Sequence, residues 1–343
     1  MTNDQPQPNQ AKPSPAAKAV YACVAIVAAG VAVYAAIELG RAPRPCQPEL
    51  YDTSEMRKSD PAMIRFREAG TIQTGLKNAR GIAAGPQGIH VVGDKLVRVF
   101  GNDGSPKDQD TINLLSEAEC VAVGPDGAVY VGLRDGVEVC KSRNRIEFWQ
   151  SLGERAFITC IAVAGDDVFV ADAGNRVILR CDKTGKVLGR IGQKDDSRNI
   201  PGLVVPSHHL DVAMAPDGLL RVNNPGRRRI EAYTVDGDLE LWWGKSSAEP
   251  DGFPGCCNPT DIAILDDGRV VASDKGLPRV KLYAFDGTFL GLVAGPETFA
   301  EAFVKGAGGD FAGLDLAVDG ERVLVLDAAT GTIRIFVPKE TTG

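Results

Sequence analysis

The apolar positions of this chain recur in a fixed pattern. An alternating apolar run, a turn built on Gly or Asp-Gly, and a second apolar run appear at residue 81 as GIAAGPQGIHVV, at 120 as CVAVGPDGAVYV and at 160 as CIAVAGDDVFVA. The unit returns as DVAMAPDGLLRV at 211, DIAILDDGRVVA at 261 and DLAVDGERVLVL at 315. A third short run follows each: VRVF, VEVC, VILRC, IEAY, VKLY and IRIF. Period-two alternation predicts strands whose faces are covered, and the Gly and Asp-Gly positions predict tight turns between them. Four copies show a further turn and a fourth strand, as in DGDLELWWG (236–244) and DGTFLGLVAG (286–295).

The copies begin 39, 40, 51, 50 and 54 residues apart. Four short strands in a unit of this length predict a β-propeller blade, and six units predict a closed ring. The expected fold is therefore all-β, a six-bladed propeller over residues 61–340. The last unit ends at IFVPKE, too early for a fourth strand, while AMIRFREAGTIQTG (62–75) precedes the first unit and reads as strand. We expect that segment to supply the missing outer strand, which joins the two ends and removes an open edge.

Ahead of the repeats, residues 1–18 are rich in Pro, Gln and Asn without apolar periodicity, which predicts a disordered tail. Residues 19–37, AVYACVAIVAAGVAVYAAI, carry no charge and are long enough to cross a bilayer as a helix. Segment 19–39 reads as a transmembrane anchor or uncleaved signal, with cleavage after Ala35 as the alternative, and the Pro-rich 40–60 as a linker. All these readings place the propeller on the extracytoplasmic side of a bacterial inner membrane. A net charge of −7 offers no basic field for nucleic acid.

The stretch IAVAGDDVFVADAGNRVILRCDKTG (161–185) resembles the NHL repeat, and the likeness extends over about residues 78–338. It implies a six-bladed NHL-type propeller. Since that family holds scaffolds, RNA and protein binders, and lyases, it implies no single activity. The stretches NNPGRRRIEAYTVDGDLELWWGKSS and GFPGCCNPTDIAILDDGRVVASDKGLPRVKLY are similar to membrane-anchored bacterial NHL proteins, which again points to the envelope. Arg229 aligns with Arg176 and Arg279 at the repeat's arginine position. The resemblance implies pairing with the aspartate of the second strand, Asp172 or Asp274, with Asn223 in its place in the fourth blade.

Three long connections, 193–209, 245–260 and 296–313, serve consecutive blades and should form one rim on one face of the ring. Cys120, Cys160, Asp211, Asp261 and Asp315 share one repeat position, the start of the innermost strand. His208 and His209 lie just before Asp211, and Cys256 and Cys257 just before Asp261. This convergence supports several readings. Thiolates and imidazoles suit a copper or zinc ion, though no CxxC or HExxH spacing is present. Cys256 and Cys257 could form a vicinal disulfide, or fill a tight corner as small buried side chains. The three aspartates could act as a carboxylate ring for acid, base or cation, or accept backbone N–H bonds. Arg227 and Arg228 are candidates for an acidic ligand or partner. Of Trp242 and Trp243, alternation directs one to a neighbouring blade. Cys140 and Cys181 read as core, and His90, in a second strand, as a core or edge residue. The leading expectation is a membrane-anchored binding or scaffold module serving envelope proteins through the long-loop face. A metal or thiol-redox protein is the alternative, and a propeller lyase or hydrolase the third reading.

Overall fold

In the computed structural model, residues 58–142, 145–299 and 313–340 are described, with isolated positions before them. The expected tail (1–18), the apolar segment 19–37, most of the linker and most of the 296–313 connection lie outside the described residues. Among the described residues, no helix is long and apolar enough to cross a membrane.

The described residues form six four-stranded antiparallel sheets arranged as the blades of a propeller. The inner strands are Ala79–Gly85, Cys120–Val123, Ile158–Ala164, Val212–Met214, Asp261–Ile264 and Leu314–Asp319. In five blades the four strands are consecutive in sequence. In the sixth, the outer strand is Phe66–Gln73, which pairs antiparallel with the last strand, Thr332–Pro338, from Phe66 opposite Pro338 to Gln73 opposite Thr332. The two ends of the domain are thus hydrogen-bonded to each other, and the ring has no loose final blade.

Alternation of apolar residues explains the packing. Each strand buries one set of side chains against the preceding blade and the other against the next. Six apolar clusters result, one at each seam between blades. Second strands are covered on both sides, so Val91, Val131, Val170, Val271 and Val325 are fully buried. Each such side chain is worth about 1.5–3 kcal/mol of burial. Cys140 and Cys181 are core residues, as expected, and His90 is buried with Nδ1 at 3.1 Å from the Gly88 carbonyl. Trp243 is buried against Phe253 and Tyr283, while Trp242 is exposed beneath the Arg229 guanidinium.

Strand register bears out the expected arginine–aspartate pair in the fifth blade and corrects those in the third and fourth. Asp274 stands opposite Arg279 and makes a 3.0 Å ion pair with it. The equivalent pair in the fourth blade is Asn224 opposite Arg229, so Asn224, not Asn223, holds the aspartate's place. Arg229 turns instead to buried Glu231, at 2.6 Å. In the third blade, Val177 stands opposite Asp172. Arg176 occupies the turn in a left-handed conformation, and Asp172 accepts from Asn175 and the Phe157 N–H.

Candidate functional site

Where the six inner strands begin, the ring opens into a cavity of about 790 Å³ lined by residues from every blade. Its wall follows the repeat: Arg80, Glu119, Thr159, Leu210, Thr260 and Leu314 each line it from the position just before the shared ring position. That position is Gly81, Cys120, Cys160, Asp211, Asp261 and Asp315 in turn.

The aspartates do what a free inner edge requires. An inner strand has no neighbour on its axial side, so its N–H groups need other acceptors. Asp211 accepts from Ile262 of the next blade at 2.5 Å, and from its own neighbour Val212 at 2.8 Å. Asp261 accepts from Leu316 at 3.1 Å, and Asp315 from Ile82 of the first blade at 2.7 Å. Each carboxyl therefore ties one blade to the following one. Cys160 continues the series with a thiol donating to the Val212 carbonyl at 3.4 Å. Asn223 and Ser273, one strand out, reinforce the seams by donating to the Thr260 and Leu314 carbonyls.

Crowding of three carboxyls raises their proton affinity. Burial pushes Asp261 far above the ordinary carboxylate range, and the charges of Asp211 and Asp315 add to this. Asp315 is pushed up to about 7 by burial, against the hydrogen bonds it receives from Asp261 and from Ile82. Asp261 thus holds a proton and shares it with Asp315. Asp211 is also raised by burial, opposed by the Ile262 and Val212 N–H groups that donate to it. The cavity floor consequently holds a proton at Asp261 and carries less negative charge than three ionised carboxylates would.

The wall above the fourth and fifth blades carries the other polar groups. His209 is half-buried, and burial holds it down to about 4, with the charges of Lys275 and His208 adding to the effect, so its imidazole is neutral. His208 stacks flat on Phe157, ring centroids 3.9 Å apart and 11° between planes. Lys275 reaches the Ser207 hydroxyl at 3.4 Å, and its backbone N–H donates to buried Asn258 at 2.8 Å.

Cys256 is exposed and Cys257 half-buried, which removes the reading of both as buried corner residues. Their sulfurs are 3.3 Å apart. All six described cysteines are free thiols. Burial works against a Cys257 thiolate, but hydrogen bonds from Ser207 and Cys256 and the Lys275 charge outweigh it, and Cys257 lies below the ordinary thiol value. Cys256 moves the other way, through its hydrogen bond with Cys257 and the charge of that partner.

Several expected groupings do not assemble. The predicted copper or zinc ligands, Cys256, Cys257, His208 and His209 with Cys120 and Cys160, do not converge. His208 is committed to Phe157, Cys120 is buried at the Gly132 backbone, and His209 turns into the cavity. Among the described residues, no three His, Cys, Asp or Glu side chains form a group able to hold a metal ion. Arg227 and Arg228 are also committed. Arg227 donates to the Gly202 and Pro201 carbonyls of the 193–209 connection, and Arg228 to the Gly255 carbonyl of the 245–260 connection at 2.5 Å. They clamp the two loops that an acidic ligand was expected to meet.

The 245–260 connection has a second anchor. Phe253 is fully buried against Tyr283 and Trp243, with the Lys281 ammonium 3.9 Å above its ring. Lys281 is itself buried, pairs with Asp274 at 2.9 Å and donates to the Gly252 carbonyl at 2.8 Å. Burial lowers it to about 8, in spite of Asp274.

Solved structures share this architecture. Virginiamycin B lyase from Staphylococcus aureus aligns over 80% of this chain and 100% of its own, with 12% identity and a TM-score of 0.55. A gluconolactonase from Xanthomonas campestris aligns over 82% of this chain and 94% of its own, with 16% identity and a TM-score of 0.57. A Bacteroides thetaiotaomicron protein of unknown function aligns over 80% and 72%, with 17% identity and a TM-score of 0.55. At these identities the likeness establishes the propeller fold alone. No family model and no curated protein matches the chain, so the NHL-repeat resemblance rests on the repeat motif itself.

Proposed function

We propose that this propeller is a binding module of the bacterial envelope, anchored through residues 19–37, that takes a small polar organic ligand into its channel mouth. The NHL-type repeat and the association with envelope protein partners through the loop rim belong to the same reading. The observation that carries it is the cavity of about 790 Å³ to which all six blades contribute. This volume suits a ligand of some tens of atoms, and the wall supplies a few convergent polar groups beside an aromatic surface, as small-molecule sites do. The proton held at Asp261 can be donated to a ligand carbonyl or hydroxyl, Asp315 and His209 can accept, and Lys275 can meet a partial negative charge. A thermal-shift screen of small hydroxylated and carbonyl compounds tests this. Binders should stabilise the wild type, and Lys275→Met should weaken them by about 1.5–3 kcal/mol, the loss expected of a charged hydrogen bond. Binders indifferent to both Lys275→Met and His209→Ala would refute the site.

One observation favours a second reading, acid–base catalysis. A neutral imidazole and a proton-holding carboxyl share the cavity, as a general base and a general acid would. Structural neighbours named as a lyase and a gluconolactonase support it at the level of fold. Turnover of cyclic esters, abolished in both His209→Ala and Asp261→Asn, would favour this reading over binding alone.

A further inference from the structure

The Cys256–Cys257 pair is not absorbed by ligand binding at the mouth, and its surroundings are specific. The two sulfurs are 3.3 Å apart, Cys256 being exposed and Cys257 half-buried, and Cys257 receives a hydrogen bond from Ser207 and the influence of the Lys275 charge. The loop is held from both sides. Asn258 donates to the Pro254 and Lys275 carbonyls and accepts from the Lys275 N–H, and Arg228 grips Gly255. The Lys275 backbone is thereby tied to this loop, and its ammonium reaches the Ser207 hydroxyl at 3.4 Å. The other four described cysteines lie in the core or at the inter-blade seams, where burial pushes every thiol up.

We propose that Cys256 and Cys257 are a thiol–disulfide exchange site, in which Cys257 attacks a small disulfide and Cys256 resolves the product. The Cys257 thiolate displaces one thiolate from the substrate disulfide and forms a mixed disulfide. Cys256 then loses its proton, attacks the Cys257 sulfur and expels the second thiolate. Two cysteine thiols and one substrate disulfide become one Cys256–Cys257 disulfide and two small thiols. The protein is oxidised by two electrons and the substrate is reduced by two. Roles follow position: the sulfur beside Lys275 and Ser207 is the better thiolate, and the exposed sulfur is within reach to resolve it. The peptide bond joining the two is trans, so their α-carbons are only about 3.8 Å apart, below the usual disulfide span. A bridge across them is strained and so readily reduced, so the exchange runs forward under excess small disulfide and reverses under excess small thiol, which returns both cysteines to thiols.

The test uses the full chain, reduced and then exposed to oxidised glutathione, with peptide mapping after alkylation. We expect Cys256 and Cys257 to lose alkylation together, to retain no glutathione, and to recover with dithiothreitol. Cys256→Ser should trap one glutathione on Cys257, and Cys257→Ser should react at least about tenfold more slowly. Lys275→Met and Ser207→Ala should move the pH midpoint of the reaction upward, an effect that a merely structural role would not produce. Persistence of both free thiols under excess glutathione disulfide would overturn the proposal. So would stable glutathione adducts on both wild-type cysteines, or equal rates in Cys256→Ser and Cys257→Ser. None of these outcomes depends on ligand binding at the mouth.

Discussion

Replacing Asp315 with Asn isolates the proton held at the channel mouth. The folded protein holds Asp315 at about 7, against an ordinary aspartate value near 3.8. A group raised on folding contributes stability that is fully present below its unfolded value and is lost as pH rises through its folded value. Between about pH 5 and pH 8 the wild type should therefore lose two units' worth of this term, about 2.7 kcal/mol at 1.36 kcal/mol per unit. Asn keeps an acceptor for the Ile82 N–H but cannot titrate, so the variant should lack this dependence. At roughly 2 °C per kcal/mol for a domain of this size, the melting-temperature gap between wild type and variant should shrink by about 5 °C from pH 5 to pH 8. Thermal unfolding of both proteins at both pH values, followed by circular dichroism, reads this directly. A gap that is constant, or that widens toward alkaline pH, would refute a shared proton at Asp261 and Asp315.

Other perturbations test other parts of the structure. Asp211→Ala strands the Val212 and Ile262 N–H groups at a buried seam and should cost about 2–4 kcal/mol of stability in thermal unfolding, with Asp211→Asn recovering part of it. Phe253→Ala empties the site against Trp243 and Tyr283 and should cost about 3–5 kcal/mol, with enhanced proteolysis within 245–260. Lys281 is lowered to about 8 from 10.5 on folding, so the folded state sheds its proton first. Wild-type stability should accordingly rise by up to about 3 kcal/mol relative to Lys281→Met as pH increases through that window. Paired melts on the alkaline side check the sign.

The ring was legible because its physics repeats. Each blade spends the same alternating strands on the same two seams, so six copies of one pattern report one fold, and the early strand ahead of the first copy had only one unpaired edge to fill. The aspartates were visible for the same reason, at one repeat position, and so was their alternative use as acceptors. The cavity wall was within reach of the same alignment: Arg80, Glu119, Thr159, Leu210, Thr260 and Leu314 precede the ring position in every copy. What escaped the sequence depended on loops. Arg227 and Arg228 bond to backbone carbonyls of Pro201, Gly202 and Gly255, which carry no residue-type signature. The stacking of His208 on Phe157 joins two connections of unrelated sequence. The shift from Arg176 to Val177 at the arginine position is a one-residue slip at a turn, where length varies and periodicity gives no register. The cysteine pair was conspicuous, but its exposure and the approach of Lys275 follow from how Asn258 folds the loop.

The channel mouth is the proposed ligand site. This assignment is tested most directly by a crystal structure of the propeller with the strongest binder from the thermal-shift screen. That molecule should lie within the mouth, hydrogen-bonded to Asp261 or Asp315 and within reach of His209 and Lys275. A molecule bound on the outer strands or the opposite face, with the mouth unoccupied, would contradict it.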